Sequence, residues 1–501
     1  MRGRGIREIG AESPARAPSL ALQHVGSILI PMLARGFITA GAVALVATLY
    51  AQIAGPDPRE IPVPPIKTSM PAMPGVDKLP NYPEMPDPLT MNNGQKVTTA
   101  AQWKKRREEM RQILEYYAVG QAPPPPGNVK GSIVSTQTLM NGKATYRLVH
   151  LTFGPMESLC LDIGVFTPTG KGPFATVISP AGPPPGAPLK PRLPHGGNQG
   201  TGQDALLVVS PSGPDDDFVV NGTIATKGGP GCQVFASGVI NDGNPETIAA
   251  HNQALAHGLA YVIFDNNDCG EDTTLRRPDG SWAFRYEGFY QAYPNYDWGL
   301  LRGWAWGVSR IVDYLETDSA VDKNELIVTG VSRTGKSALI AGAFDDRIAL
   351  TAPVASSGGG TPAYRFSGAD RGGKEGLTEM MRKYPNWFSP HLHEFWGQPD
   401  KLPFDEHWFM ALIAPRPFIA LEGTHDQNVN ANGVRQSFLA AQPVFSFLKA
   451  GDRLGVSWAD RPHGMAQADW DALLAFADKF LLGKSVARRF DEFPAELFQA
   501  N

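Results

Sequence analysis

The run Leu326-Ile327-Val328-Thr329-Gly330-Val331-Ser332-Arg333-Thr334-Gly335-Lys336-Ser337 decides how the chain folds. Apolar, β-branched residues end at a glycine, and a serine follows two residues later. A helix of small residues is expected to open at Ser337-Ala338-Leu339. Strand, sharp turn and helix in this order is the setting of a nucleophile elbow, which exposes a serine hydroxyl above a sheet on a strained turn. The same letters, Gly330 to Ser337, also match G-x-x-x-x-G-K-[ST], a phosphate-binding loop. One reading predicts a hydrolase and the other a nucleotide-binding protein.

Working outward, strands and helices alternate from residue 174 onward. Apolar β-type runs fall at 174–179, 259–265, 325–329, 349–355, 417–421 and 455–458, and helical spacing at 246–257, 298–317 and 467–482. In the helix at 298–317, Trp304, Val308, Ile311 and Leu315 share a face; in the last helix, Trp470, Leu473, Ala477 and Leu481 do. Such alternation predicts a mostly parallel central sheet with helices on both faces, a three-layer α/β sandwich. Upstream, a helix is expected over 100–117, capped by Thr98 or Thr99, with Trp103, Met110, Leu114 and Tyr117 on its apolar stripe. Runs at 130–138, 143–153 and 158–167 read as an antiparallel meander leading into the sheet.

Chain order separates the two readings of the elbow. A serine hydroxyl needs a base in reach, and the base needs an orienting acid. In α/β-hydrolases these follow as Ser, Asp or Glu, His. Strand 417–421 runs into Glu422-Gly423-Thr424-His425-Asp426, and the next strand into Asp460-Arg461-Pro462-His463-Gly464. Ser332, Asp426 and His463 therefore come in the right order at expected strand ends, where open α/β sheets bind ligands. Glu422 is the rival acid and His425 the rival base. A phosphate loop would follow the first strand of its domain, whereas several strands precede this one. No apolar strand ends cleanly in a magnesium-binding aspartate. The expectation is a serine hydrolase, with Thr334 standing where G-x-S-x-G has glycine.

The composition bounds the alternatives. The chain has 501 residues, 42% hydrophobic and 19% charged, with a formal net charge of −4. That is ordinary for a globular protein and offers no electrostatic case for nucleic acid. Its 54 glycines and 45 prolines point to long surface loops over a regular scaffold. The longest, about 180–245, is of a length usually tied to function or disorder, and Asp215-Asp216-Asp217 inside it reads as a solvated turn. Three cysteines, Cys160, Cys232 and Cys269, form no C-x-x-C pair. In an exported protein Cys232 and Cys269 could pair, while buried thiols are the simpler reading. His391-x-His393 with His407 lacks carboxylates at ligand spacing, so neither a metal nor a cofactor is expected.

Three segments are expected. Residues 1–54 read as a signal peptide or N-terminal anchor: Met32-Leu-Ala-Arg35 supplies a positive start, Gly36 to Tyr50 an uncharged apolar run, and Ala51 and Ala54 a small-residue exit. The run is short for a membrane span, which favours cleavage and a secreted or periplasmic protein. A membrane would be a partner only if the segment stays. Residues 55–97, rich in proline and methionine, read as a linker or strap. Residues 98–501 carry the catalytic domain.

The residues at the elbow resemble a known family. Gly330-Val331-Ser332-Arg333-Thr334-Gly335-Lys336 is similar to the G-C-S-R-x-G-K motif of the glucuronoyl esterases, carbohydrate esterase family fifteen. Trp298-Gly299, Trp304-Ala305-Trp306-Gly307 and Asp313-Tyr314-Leu315-Glu316-Thr317 resemble the helix before that motif. Leu402-Pro403-Phe404-Asp405 and Ala414-Pro415-Arg416-Pro417 resemble the approach to the acid strand. The similarity spans roughly residues 90 to 485. It implies an α/β-hydrolase fold and a metal-free esterase acting on a small-molecule or polysaccharide ester, the link between glucuronic acid on xylan and lignin alcohols. An acetyl esterase for decorated xylan is the alternative on the same fold. The resemblance implies Ser332 as nucleophile and His463 as base. Arg333 would stabilise the oxyanion through its backbone N–H and side chain, and Lys336 would hydrogen-bond sugar hydroxyls. Many members carry the acid as glutamate after the strand following the elbow; here Ala355 holds that position and Asp426 serves alone. Asn428 stands where a sugar-contacting tryptophan is usual, and a glutamine and a glutamate are implied in the insert after Gly360. Trp304, Trp306, Trp387 and Trp396 all read more simply as core residues than as sugar platforms; of the four, Trp387 and Trp396, in that insert, are the better platform candidates. Asp405 and Glu375 read as surface or structural residues.

Overall fold

In the computed structural model the described residues are 69–180, 252–275, 282–368 and 375–498, with isolated positions at 182, 184 and 187 and short strands at 210–211, 218–220 and 223–225. The expectations for residues 1–68, for most of the 180–245 loop with Cys232 and Asp215-Asp216-Asp217, and for the start of the 246–257 helix lie outside them.

The β-branched runs form a nine-stranded sheet. Its strands are β1 (Lys130–Leu139), β2 (Ala144–Phe153), β3 (Leu159–Pro168), β4 (Phe174–Pro180), β5 (Ala260–Phe264), β6 (Val321–Val331), β7 (Leu350–Val354), β8 (Phe418–Gly423) and β9 (Leu454–Ala459). The spatial order is β1-β2-β3-β5-β4-β6-β7-β8-β9. β1 to β3 are the antiparallel meander, and β3 joins β5 antiparallel. From β5 to β9 all neighbours run parallel. Strands buried on both faces need apolar residues at every position, and β5, β7 and β8 are buried throughout.

The helices are α1 (Ala100–Ile113), α2 (Leu300–Leu315), α3 (Arg333–Phe344), α4 (Leu377–Lys383), α5 (His407–Ile413), α6 (Ala431–Phe447) and α7 (Gln467–Phe480). The two sheet faces feed two cores. Leu326, Val328, Phe418 and Ala420 pack with α1, α2, α3, α5 and α6, while Ile327, Ile419 and Leu421 pack with α7. The period of two along β6 and β8 thus divides one strand between two layers. This is the three-layer α/β-hydrolase arrangement. Truncating Ile327, 1% exposed, to alanine would cost about 2–5 kcal/mol.

Two helices differ from expectation. α3 begins at Arg333 rather than Ser337, because the turn at Ser332 delivers the chain directly into it. α6 was not anticipated: Pro443 lies inside it and reads as a breaker. Asn430 nonetheless starts the helix by accepting from the Gly433 N–H at 2.6 Å, and its apolar face, Val434, Phe438, Ala441, Val444 and Phe445, is buried.

The described part of the proline-rich segment, from residue 69, is a strap whose carbonyls are bonded by the domain. Pro74 O accepts from Tyr117 Oη (2.6 Å), Leu79 O from Lys401 Nζ (2.7 Å) and Tyr82 O from Arg365 Nε (2.8 Å). Pro86 O accepts from both His407 Nε2 (2.8 Å) and Trp408 Nε1 (3.0 Å). Proline removes donors but leaves carbonyls, so side chains of the domain do the bonding. Burial pushes the His407 imidazole down to about 4, so the ring is neutral there. Cys160 forms a disulfide. Cys269 keeps its thiol, fully buried beneath Gly307 of α2, so the Cys232–Cys269 pairing does not form.

Candidate active site

The elbow is built from steric necessity. Ser332 has φ 58° and ψ −121°, a backbone conformation that costs an L-residue of order 1–3 kcal/mol and persists only where surroundings enforce it. The enforcement is local. Ser332 N donates to Val354 O on β7 (2.9 Å), and Lys336 N donates to Ser332 O (3.0 Å). The Thr334 hydroxyl accepts from Val331 N (2.9 Å) and donates to Val331 O (2.8 Å), closing the turn on itself. A Cβ on Gly330 would lie 2.6 Å from Thr334 O, and one on Gly335 would lie 2.9 Å from Val354 O. The close approach to the sheet thus falls at Gly335, one residue later than in G-x-S-x-G. Threonine is accommodated at 334 for that reason.

Because β6, β7, β8 and β9 are parallel neighbours, their C-terminal ends form one edge. Ser332 follows β6, Asp426 lies in the loop after β8, and His463 in the loop after β9. The Asp426 carboxylate is completely buried, and its Oδ2 lies 2.7 Å from His463 Nδ1. Its Oδ1 accepts from Asn428 N at 2.9 Å. Burial opposes its ionisation, but the His463 and Asn428 hydrogen bonds outweigh burial and hold the carboxyl below the usual range. An ionised acceptor at Nδ1 keeps the proton of neutral His463 on that nitrogen and leaves Nε2 as the basic one. The His463 side chain is 34% exposed. Among the described residues its hydrogen bond is to Asp426; Ser332 Oγ makes none to it. Such contacts often tighten only when substrate is bound.

The rivals are placed elsewhere. Glu422 is fully buried, bonded through Oε1 to the Thr361 hydroxyl, and burial pushes its carboxyl up to about 8. It is neutral at pH 7 and does not touch His463. His425 is not packed: its side chain is 70% exposed and pairs with Asp460 at 2.9 Å. His391 bonds Glu394 and stacks on Tyr116, His393 bonds Pro385 O and His407 bonds Pro86 O. Among the described residues no group of three or more His, Cys, Asp or Glu could hold a metal ion.

Arg333 opens α3, whose N-terminal N–H groups favour negative charge. Its guanidinium pairs with Asp272, on the loop after β5, and lies over Trp387 (5.3 Å) and Tyr384 (5.8 Å). Trp387 is 2% exposed, stacks on Tyr384 at 3.8 Å and donates Nε1–H to Asp272 Oδ1 at 2.7 Å. It is therefore a floor beneath the cations rather than an open sugar platform; Trp396 is half-buried. Lys336 sits one turn into α3 with its side chain 1% exposed. Its Nζ donates to Ser356 O and to Ser357 Oγ (2.9 Å) and lies 3.5 Å from Glu375 Oε2. Burial lowers the Lys336 pKa, and Glu375 works against that shift. Glu375, read from sequence as surface or structural, is thus the partner of Lys336. Ala355, where the family's glutamate is expected, has φ 46° and donates its N–H to Leu421 O at 2.8 Å. Asp405 is fully buried and accepts from Tyr364 N and Arg365 Nη1, a structural role. Asp272 was missed by sequence reasoning. Its position just past a parallel strand, at the same edge as Ser332, was the signal available.

A nine-stranded, largely parallel sheet with helices on both faces and a strained serine between β6 and α3 defines the α/β-hydrolase fold class. Solved structures of that fold superpose on the chain. The glucuronoyl esterase from Solibacter usitatus has a TM-score of 0.62 at 23% identity, covering 81% of this chain and 100% of that one. A promiscuous CE15 esterase from a marine bacterial metagenome has 0.58 at 26%, covering 81% and 99%. The family described as "Glucuronyl esterase, fungi" matches residues 233–449. The carbohydrate esterase MZ0003 of an unknown prokaryotic organism is 28% identical over 426 residues, 81% of this chain and 91% of that protein. The 4-O-methyl-glucuronoyl methylesterase of Phanerochaete carnosa is 29% identical over 414 residues, 81% of this chain and 82% of that one. The chain is a relative of the glucuronoyl esterases.

Proposed function

We propose that the protein is a serine-dependent carboxylic ester hydrolase that cleaves glucuronoyl esters through an acyl-enzyme. The observation that carries the reading is the hydrogen bond from His463 to the buried Asp426 carboxylate, on the sheet edge that also bears the strained turn at Ser332. Ser332 Oγ attacks the ester carbonyl while His463 Nε2 takes its proton. The tetrahedral oxyanion is met by the Arg333 N–H and guanidinium, whose charge opposes negative charge that grows only in the transition state. Collapse expels the alcohol, which receives the proton from His463. A water then repeats the sequence on the acyl-enzyme and releases the glucuronate. Asp426 holds the imidazole in its tautomer and stabilises the imidazolium.

The substrate class rests on the relatives. A curated relative that covers most of the chain is named as a 4-O-methyl-glucuronoyl methylesterase. Lys336, one helical turn from the nucleophile, and Glu375, 3.5 Å from its Nζ, place a cation and an acid beside each other, groups that suit the hydroxyls of a uronate. An exported protein fits both this substrate and the Cys160 disulfide, since disulfides persist in oxidising compartments. No helix among the described residues is long and apolar enough to cross a membrane.

Benzyl glucuronate and an aryl acetate assayed side by side test the proposal. Preference for the glucuronate, abolished by Ser332→Ala, is expected. Preference for the acetate would sink the uronate assignment and spare the hydrolase; retained turnover in Ser332→Ala would sink both.

A further inference from the structure

We propose that Asp272 is the positioning residue of the oxyanion site, setting the orientation of the Arg333 guanidinium through a clamp it shares with Trp387. This rests on the esterase reading above and adds a carboxylate outside the serine, histidine and aspartate set.

Asp272 sits on the loop after β5, at the edge where the parallel strands end. Its side chain is 1% exposed, yet both oxygens are used. Oδ2 pairs with Arg333 Nη1, and Oδ1 accepts from Trp387 Nε1 at 2.7 Å. The loop itself is fastened. Asp272 N donates to Asn267 Oδ1 (3.2 Å), Asn267 N to Asp265 Oδ1 (2.9 Å), and Asn386 Nδ2, next to Trp387, to Thr273 O (3.0 Å). The indole is fixed on its other side by its stack on Tyr384, with planes 5° apart. Three segments distant in sequence thus converge on one guanidinium: the β5 loop, the start of α3, and the insert carrying Tyr384 and Trp387.

The physical need is plain. A free arginine side chain carries about 2 kcal/mol of rotamer entropy. An oxyanion donor is effective only if its orientation is set before the charge develops. The clamp fixes the guanidinium by a carboxylate on one edge and aromatic rings beneath, while the side chain stays 22% exposed toward solvent. The negative charge of Asp272 offsets part of the Arg333 field, so its contribution is to geometry rather than to charge. An ion pair serving stability alone would leave kcat untouched when weakened; a positioning pair would not.

The test is a cycle on the full chain with a glucuronate ester: Asp272→Asn, Arg333→Ala and the double variant. Asp272→Asn keeps the acceptor for Trp387 but loses the charge that aligns Arg333. We expect kcat to fall about 10–100-fold, within the range for losing part of one oxyanion donor, with KM within about twofold. In the Arg333→Ala background the same change should alter kcat by less than about twofold, because the residue acts through Arg333. Unchanged kcat in Asp272→Asn, a rise in KM alone, or an equal fall in both backgrounds would overturn the proposal. Should Asp272→Asn fail to fold, Trp387→Phe decides. It removes the indole donor and keeps the stack, and its smaller fall in kcat should likewise vanish in the Arg333→Ala background. Ser332→Ala, run in parallel, reports on the esterase reading separately: turnover surviving it would refute that reading, whatever the cycle shows.

Discussion

His463 Nδ1 and Asp426 Oδ2 meet at 2.7 Å across the C-terminal ends of two adjacent parallel strands, the carboxylate buried and the imidazole partly open to solvent. Asp426 is held by the Asn428 N–H. The loop carrying His463 is held by Arg461, which bonds Asp469 at 2.9 Å and Leu421 O at 3.2 Å.

Replacing Asp426 with asparagine is expected to lower kcat on the order of 10⁴-fold, because the amide no longer fixes the imidazole tautomer. Steady-state kinetics on a glucuronate ester measures it. The change also carries a pH signature. The Asp426 carboxyl is held below its ordinary value, so its contribution to stability is complete above the unfolded-state value, about 3.9, and is lost as pH falls through the lower folded value. The melting-temperature gap between wild type and Asp426→Asn should therefore narrow on acidification below about pH 4.

Glu422 predicts the opposite slope. Its folded-state value of about 8 is above the unfolded value of about 4.5, so the folded chain binds the extra proton between those limits and loses stability as pH rises through them. Glu422→Gln keeps a neutral side chain of the same shape. Its melting temperature should gain on wild type progressively from pH 5 to 9, with ester turnover largely retained. A collapse of turnover would make Glu422 the catalytic acid after all.

Ser332→Gly should separate stability from activity. Glycine adopts φ 58° without the Cβ penalty, at the cost of greater freedom in the unfolded chain. Urea denaturation is expected to show a gain of about 1 kcal/mol, with turnover abolished. Gly335→Ala should instead lower both stability and turnover, because its Cβ would press on Val354 O and displace the turn that carries Ser332.

Glu375→Ala should raise KM for a glucuronate ester about tenfold, the loss of one charge-assisted hydrogen bond, and leave an aryl acetate unaffected. Equal loss on both esters would make the Lys336–Glu375 pair a brace for the elbow rather than a contact for the sugar.

The sheet, its covering helices and the strand–turn–helix at Ser332 were legible because each rests on local period and on glycine, whose effects act within a few residues. α6 was not, because Pro443 reads as a stop and only the buried face against the core shows that the helix continues through it. The order Ser332, Asp426, His463 followed from topology: parallel strands deliver their ends to one edge.

The amino-acid sequence by itself thus determined the class of fold, the elbow, and that Ser332, Asp426 and His463 fall at the ends of the parallel strands, but not Asp272 beside them. Tertiary structure alone decided their state. Glu422 and Asp426 sit four residues apart, yet one is raised to about 8 by burial beside Thr361 and the other is lowered by hydrogen bonds from His463 and Asn428. Arg333 is clamped by an aspartate 61 residues upstream, which in turn holds a tryptophan 115 residues further on. Desolvation and pairing depend on which surfaces pack against a charge, and no local pattern in the chain encodes that.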